Sequence, residues 1–487
     1  MSSAQLVPIH ITRLRDFDFG EMEAEAEVPE RPDLLIGGFI DPHGVINEAR
    51  NGRRFLFLGY KGSGKSGIAE HLSLIDDPEL FVRVVHIADL SFTSLGQMAG
   101  VSGELESRFP TAWSWLLLLQ LFDSFSRDAG CNLGQDDRLW YVVEALKTAG
   151  FLPDAELTKT VETTLKKTAG LKLWQCLDIG RERIDKTDTD LHCFVDWLKR
   201  NASNVRSKSR HLLVVDGLDD LLKGGKLAHT ALECLLFEVK RLNLEFAKSC
   251  NPAKILVLCR TDLFDRLPGA NNNKLRQVYA TNLDWSDNSK DVKQCPLIEI
   301  INRRASLTGQ CPIDVFETFL PPTIDAYSKG DIRTQLLEHT RHIPRDIIML
   351  FKSLQAYSGS GRLTKHQVFD GLAAYSRYLV DEMTDELGGY IDPAQIGMAK
   401  SLFTKVRKRA TTIGELEDRA KRLRFPDSFY IRGILRVLFE CSLIGNAPTV
   451  NSHSKDSHFK FRNRYATFDP FQAVLFHRGL WKGLDLH

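Results

Sequence analysis

Eight consecutive residues, Gly59-Tyr60-Lys61-Gly62-Ser63-Gly64-Lys65-Ser66, have the types and spacing to hold a polyphosphate. Glycines let the backbone curl so that successive N–H groups point inward at one phosphate. A lysine after the last glycine bridges the β- and γ-phosphates, and the hydroxyl that follows is a hard oxygen ligand for Mg²⁺. Lys65 and Ser66 fill those two roles, and Gly67 continues the cradle into the next turn. A magnesium–phosphate site also needs a carboxylate at a neighbouring strand end. Asp216 stands directly after the apolar run His211 to Val215 and is the second expected metal ligand. Asp219 and Asp220 come next; either can orient and deprotonate an attacking water, or both cap the following helix. Arg260 closes another apolar run, Lys254 to Cys259. A cation there feels the charge lost when a γ-phosphate leaves; the alternative is an arginine in a surface turn.

These residues need rigid elements behind them. Arg54 to Leu58 is continuously apolar, as in a strand buried on both faces of a parallel sheet. A helix from Lys65 to about Leu74 should follow the glycine-rich turn, the helix N-terminus adding positive potential toward phosphate. Further strands are expected at Phe81 to Ile87, His211 to Val215, Lys254 to Cys259 and Gln277 to Leu283, with a helix over about 227–248. Five strands with helical crossovers predict an α/β fold with a doubly wound parallel sheet. Residues 92–205 read as a helical insertion, with the strongest helices at Ala112 to Asp128 and Arg138 to Lys147. The expected division is an N-terminal segment (1–34), a core (35–285), a helical lid (286–358) and a C-terminal domain (359–487).

Composition sets outer bounds. The chain has 487 residues, 43% hydrophobic and 26% charged, which suits packed domains rather than bulk disorder. Sixty-four Lys and Arg against 63 Asp and Glu say nothing about partners. Nine cysteines without C-x-x-C spacing fit reduced thiols better than a zinc site or a disulfide framework. No run is long and apolar enough to span a bilayer, and Met1 to Gln5 has no signal pattern, so a cytoplasmic protein away from membranes is expected.

Taken together, the cradle, Asp216-Gly217-Leu218-Asp219-Asp220 and Arg260 resemble P-loop nucleoside triphosphatases of the AAA+ superfamily. The resemblance is to the signal-transduction ATPases with numerous domains and to their NACHT branch. It implies ATP and Mg²⁺ as cofactors and an Arg260 strand lying between the cradle strand and the Asp216 strand. Arg341-His342-Ile343-Pro344-Arg345 resembles the proline motif that packs on adenine, here Pro344, and the second sensor of origin-recognition-type ATPases, here Arg345. Position 342 is His where the class often has Gly. Phe476-His477-Arg478 is loosely similar to the motif that holds a bound diphosphate, which implies His477 as a nucleotide contact; Arg478 replaces the usual acid, and a packed or exposed histidine is the alternative that weighs more. The layout also resembles bacterial stand-alone P-loop ATPases, many of which act in antiphage defence.

The C-terminal stretch 401–487 carries 16 Lys and Arg against eight acids. Helical signals at Ile413 to Leu423 and Ser428 to Ser442, then a strand pair of Leu443 to Gly445 and Phe459 to Arg462, the latter opening a strand–turn–strand signal over Phe459 to Phe468, resemble a winged helix. Such a basic module can grip nucleic acid, with Tyr465 as a stacking face, or dock on an acidic partner. Arg276 precedes the fifth strand, where an AAA+ ring would take a finger arginine for homo-oligomer assembly; a simple helix-end arginine weighs slightly more.

No effector domain or repeat array is readable, so a separate effector protein is the natural partner. The leading expectation is an ATP-hydrolysing regulatory switch in a defence or stress system. The alternative is a DNA-acting AAA+ loader or motor, and the third is a scaffold with a structural nucleotide.

Overall fold

The computed structural model describes residues 13–87, 90–98, 105–134, 136–152, 156–168, 191–218, 225–269, 271–286, 291–324, 330–451 and 457–487. Over these the chain divides into two units, residues 43–59 with 65–283, and residues 13–42 with 60–64 and 284–487.

In the first unit the apolar runs become five strands: β1 (Leu56–Gly59), β2 (Leu80–His86), β3 (Arg210–Asp216), β4 (Ala253–Arg260) and β5 (Ala280–Asn282). All neighbours pair in parallel, in the order β2-β3-β4-β1-β5. Leu56, Phe57 and Leu58 are wholly buried, as a central strand covered on both faces requires. β4 thus lies between β1 and β3, and its register sets Arg260 opposite Gly59.

Helices flank the sheet, an α/β architecture. Lys65–Ser73 begins where β1's loop ends and buries Ile68, Ala69 and Leu72, one helical face. Leu105–Arg127 lies within the expected insertion but packs across β2 and β3. Trp113, Trp115 and Phe122 of this helix are almost fully buried. Polar ties pin it: Arg83 bonds to Gln120 and Asp123, and Ser124 Oγ lies 2.8 Å from His211 Nδ1. His211 Nε2 lies 3.2 Å from Asp128, so one buried imidazole joins the helix end to β3. The Trp113 indole donates to the Ala231 carbonyl of helix Gly225–Ser249 at 2.9 Å.

The second unit holds a large apolar cluster, built from Leu14, Phe17, Phe19 and Ile40 together with residues from Trp285 onward. Its longest helix, Lys365–Gly388, opens on a capping box between Thr364 and Gln367. Helices Pro393–Val406, Ile413–Arg422 and Ile431–Glu440 accompany a three-stranded antiparallel sheet. Its strands are β6 (Ala410–Thr411), β7 (Ile444–Ala447) and β8 (Ala473–Phe476), in the order β6-β8-β7.

Two expectations need correction. Gln277 to Tyr279 belongs to helix Asn272–Tyr279, and only Ala280–Asn282 is strand. Leu275 is the one buried residue of that helix, so its polar composition gives no period to read. Phe459 to Phe468 is not a strand pair: only His458 bridges to Asn446, and the partner of β7 is Ala473–Phe476. Local bonds claim the segment instead, with Tyr465 N donating to Asn463 Oδ1 and Lys460 Nζ to the Ala466 carbonyl. No helix among the described residues is long and apolar enough to cross a membrane.

Candidate functional site

Gly62 and Gly64 adopt φ of 79° and 90°, values that side-chain-bearing residues rarely take. Alternating handedness of this kind turns successive amides into one concavity, an anion nest. The two glycines of the motif therefore stand where the backbone requires them.

Within the first unit, Gly59 ends β1 and Lys65 begins the helix. Lys65 is 7% exposed, and its ammonium donates to the Gly59 carbonyl at 3.3 Å, which holds the side chain back along the loop. Ser66 and Gly67 are half-buried in the first helical turn. Asp216 closes β3 at 5% exposure, paired in register with His86 of β2. Arg260, also 5% exposed, ends β4, and its guanidinium grips Asp262 through Nε (3.0 Å) and Nη2 (2.8 Å). Asp219 and Asp220 lie outside the described residues. Arg276, in the helix before β5, pairs with Asp265 at 2.5 Å and stacks on Phe264.

Residues 60–64 pack within the second unit. Ser63 N donates to the Tyr60 carbonyl at 3.1 Å, and the Ser63 carbonyl accepts from the Trp285 indole at 2.9 Å. The Gly62 carbonyl accepts from Arg345 N at 3.2 Å. A Cβ on Gly62 would lie 3.0 Å from both Arg345 Cβ and Ile343 Cδ1, so this glycine is needed for close approach as well as for its φ. Lys61 Nζ is 2.8 Å from Glu382 Oε1. Pro344 and Arg345 form the first turn of helix Pro344–Gln355, and Arg345 Nε donates to the Met22 carbonyl. Pro344 and Arg345 are thus gathered around residues 60–64.

His477 has a different setting. It is 2% exposed, its Nδ1 accepts from Gly479 N at 3.1 Å, and its ring meets the rings of Phe459 and Phe461 at steep angles. Burial pushes its pKa down to about 3, against the pull of Asp346, while Arg341 adds to the fall. The imidazole is a neutral, packed cap for a short turn.

Among the described residues, five of the 16 C-terminal cations pair with an acid, Arg478 with Glu338 being one. Arg407 pairs with Asp485, Lys408 with Glu415, Arg432 with Glu417 and Lys460 with Glu440. Arg409 stacks on Trp481 at 4.2 Å. Arg464 lies 4.8 Å from the centre of the exposed Tyr465 ring, and Phe471 is 94% exposed.

Sequence reasoning missed Trp285, Glu382 and Asp262. Asp262 was visible two residues after Arg260; the other two carry no local signal. Among the described residues no cluster of three or more His, Cys, Asp or Glu could hold a metal by itself. No protein-family model matches the chain, and no curated protein matches it either.

Proposed function

We propose that this chain binds ATP at Gly59 to Ser66 and hydrolyses it as a regulatory switch of the AAA+ type. What carries the reading is the motif loop at the carboxyl end of β1, with positive φ at Gly62 and Gly64 and a helix opening at Lys65. The sheet order, with β4 between β1 and β3, supports it, since ligands of open α/β sheets sit at the carboxyl ends of strands. The order of helices and strands in residues 393–476 supports a winged-helix-like end.

The donor set fits the implied cofactors. The nest at residues 59–66 suits the β-phosphate, and Lys65 suits the charge on the β- and γ-phosphates. Ser66 and Asp216 offer hard oxygens. Mg²⁺ ordinarily takes only one or two protein ligands beside phosphates and water, so a larger carboxylate cluster is not needed. When bound, the ion neutralises charge on the phosphates. Asp219 or Asp220 takes the proton of the attacking water, and Arg260 answers to the γ-phosphate. Pro344 and Arg345, packed around Gly62 and Gly64, are the lid residues we assign to the nucleotide. The physiological setting we favour is a bacterial defence or stress system acting through a separate effector protein.

A nucleic-acid-acting ATPase is the second reading. Arg464 against the exposed Tyr465, with Phe471 in the same C-terminal module, favours it; the internal pairing of Arg407, Lys408, Arg432 and Lys460 weighs against it.

Calorimetry with ATP and Mg²⁺ tests the site. The parent should bind and release phosphate, and Lys65→Ala should lose tight binding because the cation facing the phosphates is gone. Equal affinity in the two proteins overturns the assignment.

A further inference from the structure

Helix Lys365–Gly388 reaches the motif loop through one side chain. Glu382, 4% exposed, holds Lys61 Nζ at 2.8 Å and Arg345 Nη1 at 3.4 Å, both through Oε1. One turn on, Glu386 lies 3.6 Å from Arg341, which is itself locked in a two-pronged pair with Asp346. The same helix touches the end of the chain. Ser376 Oγ accepts from Gly483 N at 2.7 Å, and a Cβ on Gly479 would come within 2.6 Å of Leu379 Cδ2. One rigid element therefore contacts a cradle cation at one point and the C-terminal turn at two others.

Lys61 belongs to the cradle and Arg345 to the lid turn against it, so a polyphosphate entering the loop attracts both. Glu382 holds these same two cations, and its own charge opposes a phosphate. Burial works against ionisation of Glu382, yet Arg341, Lys61 and Arg345 keep its carboxyl below the usual range, so it stays charged near neutrality.

We propose that Glu382 competes with the nucleotide's phosphates for Lys61 and Arg345, so that binding at the loop is exchanged for release of helix Lys365–Gly388 and the C-terminal module it carries. This rests on the nucleotide reading of residues 59–66 and adds the residue that couples that site to the rest of its unit. Because the cations serve one partner at a time, nucleotide affinity is reduced by the fraction of molecules in which Glu382 holds them.

The test uses the full chain, with ADP and Mg²⁺ as probe and AMP, which lacks a β-phosphate, as control. Glu382→Gln keeps the shape and loses the charge. It should bind ADP about tenfold more tightly while AMP binding stays unchanged, the size expected if about nine molecules in ten hold the contact. Hydrogen exchange on the parent protein needs no substitution: ADP should speed amide exchange across residues 365–388, and the variant should show that faster exchange without ADP. If the parent binds ADP but Glu382→Gln leaves affinity within about twofold and exchange of the helix ignores ADP, the coupling is wrong and the loop assignment stands. If the parent binds no nucleotide, the loop assignment fails and the coupling falls with it.

Discussion

Arg260 and Asp262 face each other through two parallel hydrogen bonds at the tip of β4, both more than nine-tenths buried, with Arg260 in register beside Gly59. Asp262 fixes where the guanidinium points, which makes it a positioning residue for any sensor role of Arg260. Removing Asp262 takes two charge-assisted hydrogen bonds from a buried guanidinium. Asp262→Ala should therefore lower unfolding free energy by about 3 kcal/mol, whereas an Arg260→Met, Asp262→Leu double variant should recover most of the loss. Urea denaturation of the three proteins checks it; a double variant as unstable as the single would mean the pair is not what holds the strand tip.

Binding and turnover should separate at the acids after β3. Asp219→Ala and Asp220→Ala leave Lys65 and the cradle untouched. At least one should still bind ATP while phosphate release falls on the order of 10²-fold, the usual scale for a lost positioned base. Normal turnover in both places the base elsewhere.

Acid should weaken the unit that carries the C-terminal module. Burial holds His477 and His339 down to about 3 and His342 to about 4. In the unfolded chain these groups titrate near 6.5, so between the two values the unfolded state binds more protons. Stability is fully present above about pH 6.5 and falls as pH drops toward 4, by about 1.4 kcal/mol for His477 alone at about pH 5.5. Asp346 and Glu382 sit below the ordinary carboxylate range and do not offset this loss in the same window. Thermal melts from about pH 7.5 to 5 give the readout; a level melting temperature contradicts the buried neutral state.

DNA binding distinguishes the two readings of the basic end. The switch reading expects no retention of duplex or single-stranded DNA on filters, even at about 50 mM salt. Binding that falls steeply with salt and weakens in Tyr465→Ala would move the chain to the nucleic-acid reading.

What was legible in the sequence was local. The cradle is eight adjacent residues, and Asp216 and Arg260 each close an apolar run long enough to read as a buried strand. The parallel sheet followed from those runs. Short elements gave way: β5 has three residues, too few to show a period, and the polar helix before it looked extended. At Phe459 to Phe468 the aromatic residues suggested a strand, but side chain-to-backbone bonds won over sheet pairing. Glu382 and Trp285 were invisible because their meaning lies in contacts with Lys61 and Ser63, far away in the sequence.

The N-terminal segment of the second unit has a temporal consequence. Glu27 accepts from Arg304 at 2.7 and 3.1 Å, a pair separated by 277 residues. At ribosomal rates of about 5–20 residues per second, Glu27 waits roughly 15–55 s for Arg304 to be made. Leu14, Phe17 and Phe19 end in the same apolar cluster, whose other members, Ile40 apart, begin at Trp285 and are made only late in that interval. The sheet unit, whose last strand ends at Asn282, can close first. A stretch made before the sheet unit is thus among the last to find its place, and it is in need of a chaperone meanwhile.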